Sequence, residues 1–188
     1  MAAGLPDGQE TDARETARGS SSGFRLLLAR KAEPLSAEAG QSLIVHGCCV
    51  AIDGRAVLLR GAPGSGKSDL ALRFIARYPA THGRPGACLV ADDQVALERI
   101  EGEIVVRAPE KIAGLLEVRG VGLIRMDYAN SARLRLIVDL VAAGEVPRLP
   151  PDSLPREVIL GIEVPVTMAE PHENSAPEKL KLLLTGSL

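Results

Sequence analysis

The chain has 188 residues, a formal net charge of −2, 46% hydrophobic residues, two Tyr, two Phe and no Trp. That length suits one domain with a real core, while the near-neutral charge and scarce aromatics give neither a basic stripe nor a stacking platform, so nucleic acid is excluded as a partner. No apolar run reaches the ~18 residues of a membrane span, and Asp7, Glu10, Asp12 and Glu15 stand where an export signal would be basic and then apolar, so a cytoplasmic protein without a membrane partner is expected.

Residues 1–23 are rich in Gly, Ser, Ala and charge without periodicity, too little apolar surface to offset the entropy of ordering. They are read as a disordered tail ahead of a single domain over residues 24–188. Residues 42–52 form an apolar, valine- and isoleucine-rich strand, and Asp53-Gly54 offers a tight hairpin turn into Ala56-Val57-Leu58-Leu59, a continuous apolar run typical of a strand covered on both faces. Within the first strand the adjacent Cys48 and Cys49, with Cys88 further on, have neither disulfide-framework nor metal-ligand spacing and read as buried reduced thiols.

Directly after the second strand, Gly61-Ala62-Pro63-Gly64-Ser65-Gly66-Lys67-Ser68 satisfies the phosphate-binding loop pattern at every fixed position. Glycines there let successive backbone N–H groups turn inward toward phosphate oxygens. Lys67 can set its charge against the β- and γ-phosphates, Ser68 can offer its hydroxyl to Mg²⁺, and the following helix directs its positive end at the same anion. Leu70, Ala71, Phe74, Ile75 and Tyr78 recur at helical spacing, and Pro79 stops the run. Strand, glycine loop and helix together indicate a nucleoside triphosphate site for ATP with Mg²⁺.

Residues 87–91 read as another buried strand and end on Asp92-Asp93, where α/β sheets present ligand-binding groups. One carboxylate can serve a metal and the other a base. Two strands, residues 95–99 and 104–107, flank the turn Glu101-Gly102, and Pro109 suits the first turn of a short helix. In Leu116-Glu117-Val118-Arg119-Gly120-Val121-Gly122-Leu123-Ile124 one acid and one base stand inside an apolar segment. Glu117 as a Mg²⁺ ligand with Arg119 as a phosphate contact, and a structural Glu–Arg pair, explain these residues equally. Residues 134–141 read as a strand, Pro147, Pro150, Pro151 and Pro155 punctuate a loop, and residues 158–166 alternate loosely. Ser175 and Glu178 have capping-box spacing ahead of a closing helix.

His46-Gly47, the glycine loop, Leu89-Val90-Ala91-Asp92-Asp93 and Glu117-Val118-Arg119-Gly120-Val121-Gly122 occur in the order seen in HPr kinase/phosphorylase, whose catalytic domain this chain resembles from about Ser42 to Ile124 and more loosely through Val166. The resemblance implies an α/β fold, the phosphoenolpyruvate-carboxykinase-like version of the P-loop architecture, with a mixed sheet and flanking helices. It implies a serine kinase that moves the γ-phosphoryl of ATP onto a seryl hydroxyl of an HPr-like phosphocarrier of a phosphotransferase system, with reverse phosphorolysis, in a homo-oligomer that is hexameric in the family. His46 and Lys67 would then lie at the reacting phosphate, Ser68 and Glu117 would bind Mg²⁺, and one of Asp92 and Asp93 would exchange the seryl proton, with Arg119 a further catalytic residue.

The chain departs from the family pattern at Pro63, at Asp69 and in residues 168–174, which lack the arginine- and glycine-rich segment associated with phosphorolysis; Arg148 is a loose counterpart of a later catalytic arginine. Fewer than fifty residues precede His46, so a short form resembling the C-terminal catalytic domain only is expected. His82 and His172 match nothing in the pattern. Two other functions fit the same donor chemistry: a kinase for a small hydroxylated molecule, and a nucleotide-gated regulatory module that transfers no phosphate.

Overall fold

A computed structural model describes residues 42–186, so the expected N-terminal tail lies outside the described residues. Eleven strands and two α-helices follow in chain order: β1 Ser42–His46, β2 Cys48–Ile52, β3 Arg55–Arg60, α1 Lys67–Arg77, β4 Cys88–Ala91, β5 Gln94–Ile100, β6 Glu103–Arg107, β7 Leu115–Val118, β8 Gly122–Arg125, β9 Ala132–Leu140, β10 Arg156–Ile159, β11 Ile162–Ala169 and α2 Ala176–Thr185. Nine strands form one mixed sheet in the order β1-β5-β6-β9-β3-β2-β4, with β11 pairing β9 and carrying β10, while β7 and β8 form a separate hairpin. The pairs β3–β9 and β9–β11 are parallel and the others antiparallel. The expected α/β class with a mixed sheet is what the chain adopts.

The central strands need cover on both faces because β2 is wholly buried, as is Ala56–Leu59 of β3. On one face Val50, Val57, Leu59 and Val138 pack under α1 and α2 through Leu70, Phe74, Leu180 and Leu184. On the other, Ala51, Leu58 and Val90 meet Val95, Leu97, Ile104 and Val106. Those partners come from β5 and β6, remote from β4 in strand order, so the sheet curls until its own far strands close that face. The turn at Asp53-Gly54 has φ of 51° and 74°, the paired positive values of a two-residue hairpin.

The stretch read as one strand over residues 42–52 is two. Gly47 breaks it, so that β1 pairs β5 while β2 pairs β3 and β4. Its backbone passes so close to β3 that a Cβ there would stand 2.8 Å from the Leu59 carbonyl oxygen and 2.9 Å from Leu58 Cδ1. Residues 158–166 also resolve differently, into a β10–β11 hairpin turning at Leu160 and Gly161, both at positive φ. At α2, Ser175 is the N-cap residue but no capping box forms. Its hydroxyl goes instead to Glu173, two residues back in the chain, and the Glu178 carboxylate to Arg77 of α1, which leaves neither side chain for the reciprocal bonds of the box.

Strand sense decides where the site lies. Because β4 is antiparallel to β2 and β2 to β3, β4 points the same way as β3, β9 and β11. Four carboxyl ends therefore open on one edge of the sheet, carrying the loop at residues 61–66, Asp92-Asp93, the segment after Leu140 and the segment after Ala169.

Candidate active site

The glycine loop leaves β3 and enters α1 at Gly66, which sits in the left-handed region at φ 91°. Lys67 is only 9% exposed, and its ammonium donates to the carbonyls of Gly61 at 2.9 Å and Ala62 at 3.1 Å. Within the same loop the Ser65 hydroxyl is buried with no hydrogen-bond partner among the described residues. An unpaired buried hydroxyl costs free energy, and a phosphate oxygen held by the loop would relieve it. Both observations fit the phosphate expected here.

Asp92 is the second buried charge, 8% exposed. Its two carboxylate oxygens each lie 3.2 Å from the Ser68 hydroxyl, which can donate to one, and Oδ2 accepts the Glu117 backbone N–H at 3.2 Å. The Cys48 thiol is buried close to this carboxylate, and burial pushes it well above the usual range, with the Asp92 charge adding to the effect. Cys49 is displaced upward for the same reason of burial. Cys48 and Cys49 are free and buried as expected, whereas Cys88, also free, is half-buried.

The kink at Gly47 aligns with the kink at Asp92-Asp93 because residues 42–52 run antiparallel to residues 88–100 on both sides of it, and the Gly47 N–H donates to the Asp93 carbonyl at 3.2 Å. His46 and Asp93 are thereby brought together, His46 Nδ1 3.1 Å from Asp93 Oδ1, with side chains 54% and 68% exposed. Asp93 holds φ 67°, a left-handed conformation that costs a non-glycine residue about 1 kcal/mol or more. The adjacent acids thus occupy different settings: Asp92 turned inward to Ser68, Asp93 outward to His46.

Glu117 and Arg119 belong to the β7–β8 hairpin, which packs on α1 through Leu116. Both are exposed, and no ion pair joins them, which removes the structural-pair explanation. Arg119 Nη2 lies 3.5 Å from where a Cβ on Gly64 would stand, so its guanidinium overhangs the glycine loop. Glu117 touches the site through its backbone N–H. Arg148 and His82 are exposed in loops and take part in none of these contacts. Two neighbours of the site were given no role there by the sequence: Cys48, read only as a buried thiol, which the β2–β4 register sets next to Asp92, and His172, matched to nothing in the family pattern, whose Cε1 lies 3.1 Å from a Cβ built on Gly66. No local pattern marks either.

Among the described residues no group of three or more His, Cys, Asp or Glu side chains is disposed to hold a metal. Mg²⁺ seldom needs one, since it keeps several waters and binds through one or two protein oxygens plus substrate phosphates. Ser68 and Asp92, side by side at the loop, meet that requirement. No described helix is long and apolar enough to cross a membrane.

An α/β mixed sheet with a lysine-bearing glycine loop and paired acids at its carboxyl edge is the class that fold and site define. A family model described as HPr Serine kinase C-terminal domain matches residues 37–168, and the chain belongs to that family. It is 39% identical over 117 residues to the HPr kinase/phosphorylase of Peptoclostridium acidaminophilum, covering 59% of this chain and 35% of that protein. With the HPr kinase/phosphorylase of Bordetella pertussis it shares 36% identity over 158 residues, 78% of this chain and 46% of that one. The chain therefore spans less than half the length of these relatives. The structure of the Hpr(Ser) kinase/phosphatase from Coxiella burnetii superposes with a TM-score of 0.64 at 26% identity, covering 77% of this chain and 95% of that chain.

Proposed function

We propose that this chain is a cytoplasmic, ATP- and Mg²⁺-dependent serine kinase that phosphorylates a seryl hydroxyl of an HPr-like phosphocarrier protein. The observation that carries the reading is the convergence, at one sheet edge, of Lys67, the Ser68–Asp92 contact and the His46–Asp93 pair. Family membership supplies the acceptor class.

In this reading Lys67 turns from the Gly61 and Ala62 carbonyls to the β- and γ-phosphates, and Arg119 approaches from above Gly64. Ser68 and Asp92 would hold Mg²⁺, with Glu117 steadying Asp92 through its backbone N–H and its exposed carboxylate being the further ligand that the family resemblance implies. The metal, when bound, neutralises charge on the phosphate oxygens. Asp93, oriented by His46, accepts the proton as the seryl oxygen bonds to the γ-phosphorus and the bond to the bridging oxygen of ADP breaks. Catalysis is then mainly positioning and charge neutralisation.

Incubation of an HPr-like carrier from the same cell with the protein, ATP and Mg²⁺ should yield a phosphoserine detected by mass spectrometry, and Lys67→Ala should abolish it. ATP binding without transfer to the carrier would sink the acceptor assignment. Adding inorganic phosphate to the phosphorylated carrier tests phosphorolysis in the same assay, and sedimentation tests the expected homo-oligomer.

A further inference from the structure

Residues 169–174 lie beyond the 37–168 span of the family match, yet the chain devotes several interactions to docking them at the glycine loop. The Arg73 guanidinium donates to the Pro171 carbonyl and, at 3.3 Å, to the Glu173 carbonyl. The Glu173 carboxylate accepts from the Ser175 hydroxyl at 3.1 Å and from the Lys179 ammonium, and Arg77 pairs with Glu178 at 2.6 Å. The turn after β11 is thus fastened to both helices.

What the turn presents is His172. Its Cε1 lies 3.1 Å, and Pro171 Cβ 3.2 Å, from the position of a Cβ on Gly66, so the glycine lets the imidazole rest on the loop backbone itself. Cε1 is the carbon between the two ring nitrogens, and the edge facing the loop therefore carries both. At about 100° per residue, Arg73 and Arg77 lie on the same stripe of α1 as Gly66, whereas Ser68 is about 200° around. His172 accordingly reaches the loop on the flank away from Ser68 and Asp92.

We propose that His172 is a nucleotide-binding residue whose ring N–H donates to a non-transferred phosphate oxygen of the nucleotide in the glycine loop, held there by the Arg73 clamp. The inference rests on the nucleotide-binding part of the reading above and adds a contact that the motif does not contain. Because the contact is made equally before and after transfer, it strengthens binding without changing the chemical step.

Titration calorimetry with MgATP, MgADP and tripolyphosphate on the wild type, His172→Ala and His172→Gln tests it. A hydrogen bond to a charged oxygen corresponds to about tenfold in Kd, so all three ligands should bind about tenfold more weakly to His172→Ala. His172→Gln, which keeps an N–H donor, should recover part of the loss, and Arg73→Met should reproduce it by releasing the turn. In His172→Ala, KM for ATP should rise by the same factor with kcat unchanged, and the melting temperature without ligand should stay constant. Unchanged Kd values in His172→Ala, a loss in kcat alone, or weakened ATP and ADP with tripolyphosphate unaffected would each overturn the inference while leaving the kinase reading intact. A wild type that binds none of the three would overturn both.

Discussion

Gly47 is the point at which fold and site depend on the same few tenths of an ångström, and Gly47→Ala exposes that dependence. The added methyl would stand 2.8 Å from the Leu59 carbonyl oxygen and 2.9 Å from Leu58 Cδ1. Neither neighbour yields easily: Leu59 is paired with Cys48 in the β2–β3 ladder, and Leu58 is 1% exposed within the second core. Overpacking of this kind costs about 1–3 kcal/mol, and against two fixed neighbours the upper half applies; the stiffer unfolded chain of alanine returns about 0.4–1 kcal/mol. The net loss of about 2 kcal/mol lowers the urea midpoint by about 1 M for m near 2 kcal/mol/M. Relief by tilting β1 away from β3 would also part His46 from Asp93, so transfer should fall by about a hundredfold while ATP affinity is kept. Gly54→Ala is the control, with nothing within 4 Å but φ at +74°, so it pays in backbone strain alone, and asparagine there recovers most of the loss. A Gly47→Ala protein whose midpoint stays within 0.2 M of wild type, taking ~0.4 kcal/mol as measurable, refutes the close-approach argument.

Asp93→Asn should keep MgATP affinity and lower kcat by about 10²–10⁴, whereas Asp92→Asn, beside Ser68, should weaken Mg²⁺-dependent binding as well; equal effects on both parameters would refute the division between the acids. Phe74, wholly buried and set edge-on to Tyr78 at 5.3 Å, anchors α1, so Phe74→Ala should cost about 3–5 kcal/mol and lower Tm by roughly 6–20 °C in calorimetry; a shift under about 3 °C would contradict the packing. The thiols of Cys48 and Cys49 are raised by burial, so above the unfolded value of about 8.5 the unfolded chain holds fewer protons than the native one, and stability falls as pH rises. The loss should approach about 1.4 kcal/mol per pH unit for each thiol, and Cys49→Ala should remove its share of the slope between pH 7.5 and 9.5 in urea titrations. A slope identical in wild type and variant would refute the assignment.

The glycine loop, the strand before it and the helix after it were determined by sequence alone, because their physics is local. Glycine permits the turn at Gly66, Lys67 and Ser68 follow it in the chain, and Leu70 and Phe74 repeat with the helical period. The Asp53-Gly54 and Glu101-Gly102 turns were equally plain, since positive φ is a property of the residues themselves. Strand sense and close approach are different in kind. That Asp92 turns to Ser68 and Asp93 to His46, that a cysteine lies under the first acid, and that residues after β11 return to the loop with His172 all follow from pairings between segments distant in the chain. The identity of a residue sets its own backbone preferences and hydrophobicity, but which residue stands across from it depends on register. At Gly47 the register is set by how closely β2 can pass β3, and only the folded chain decides that distance.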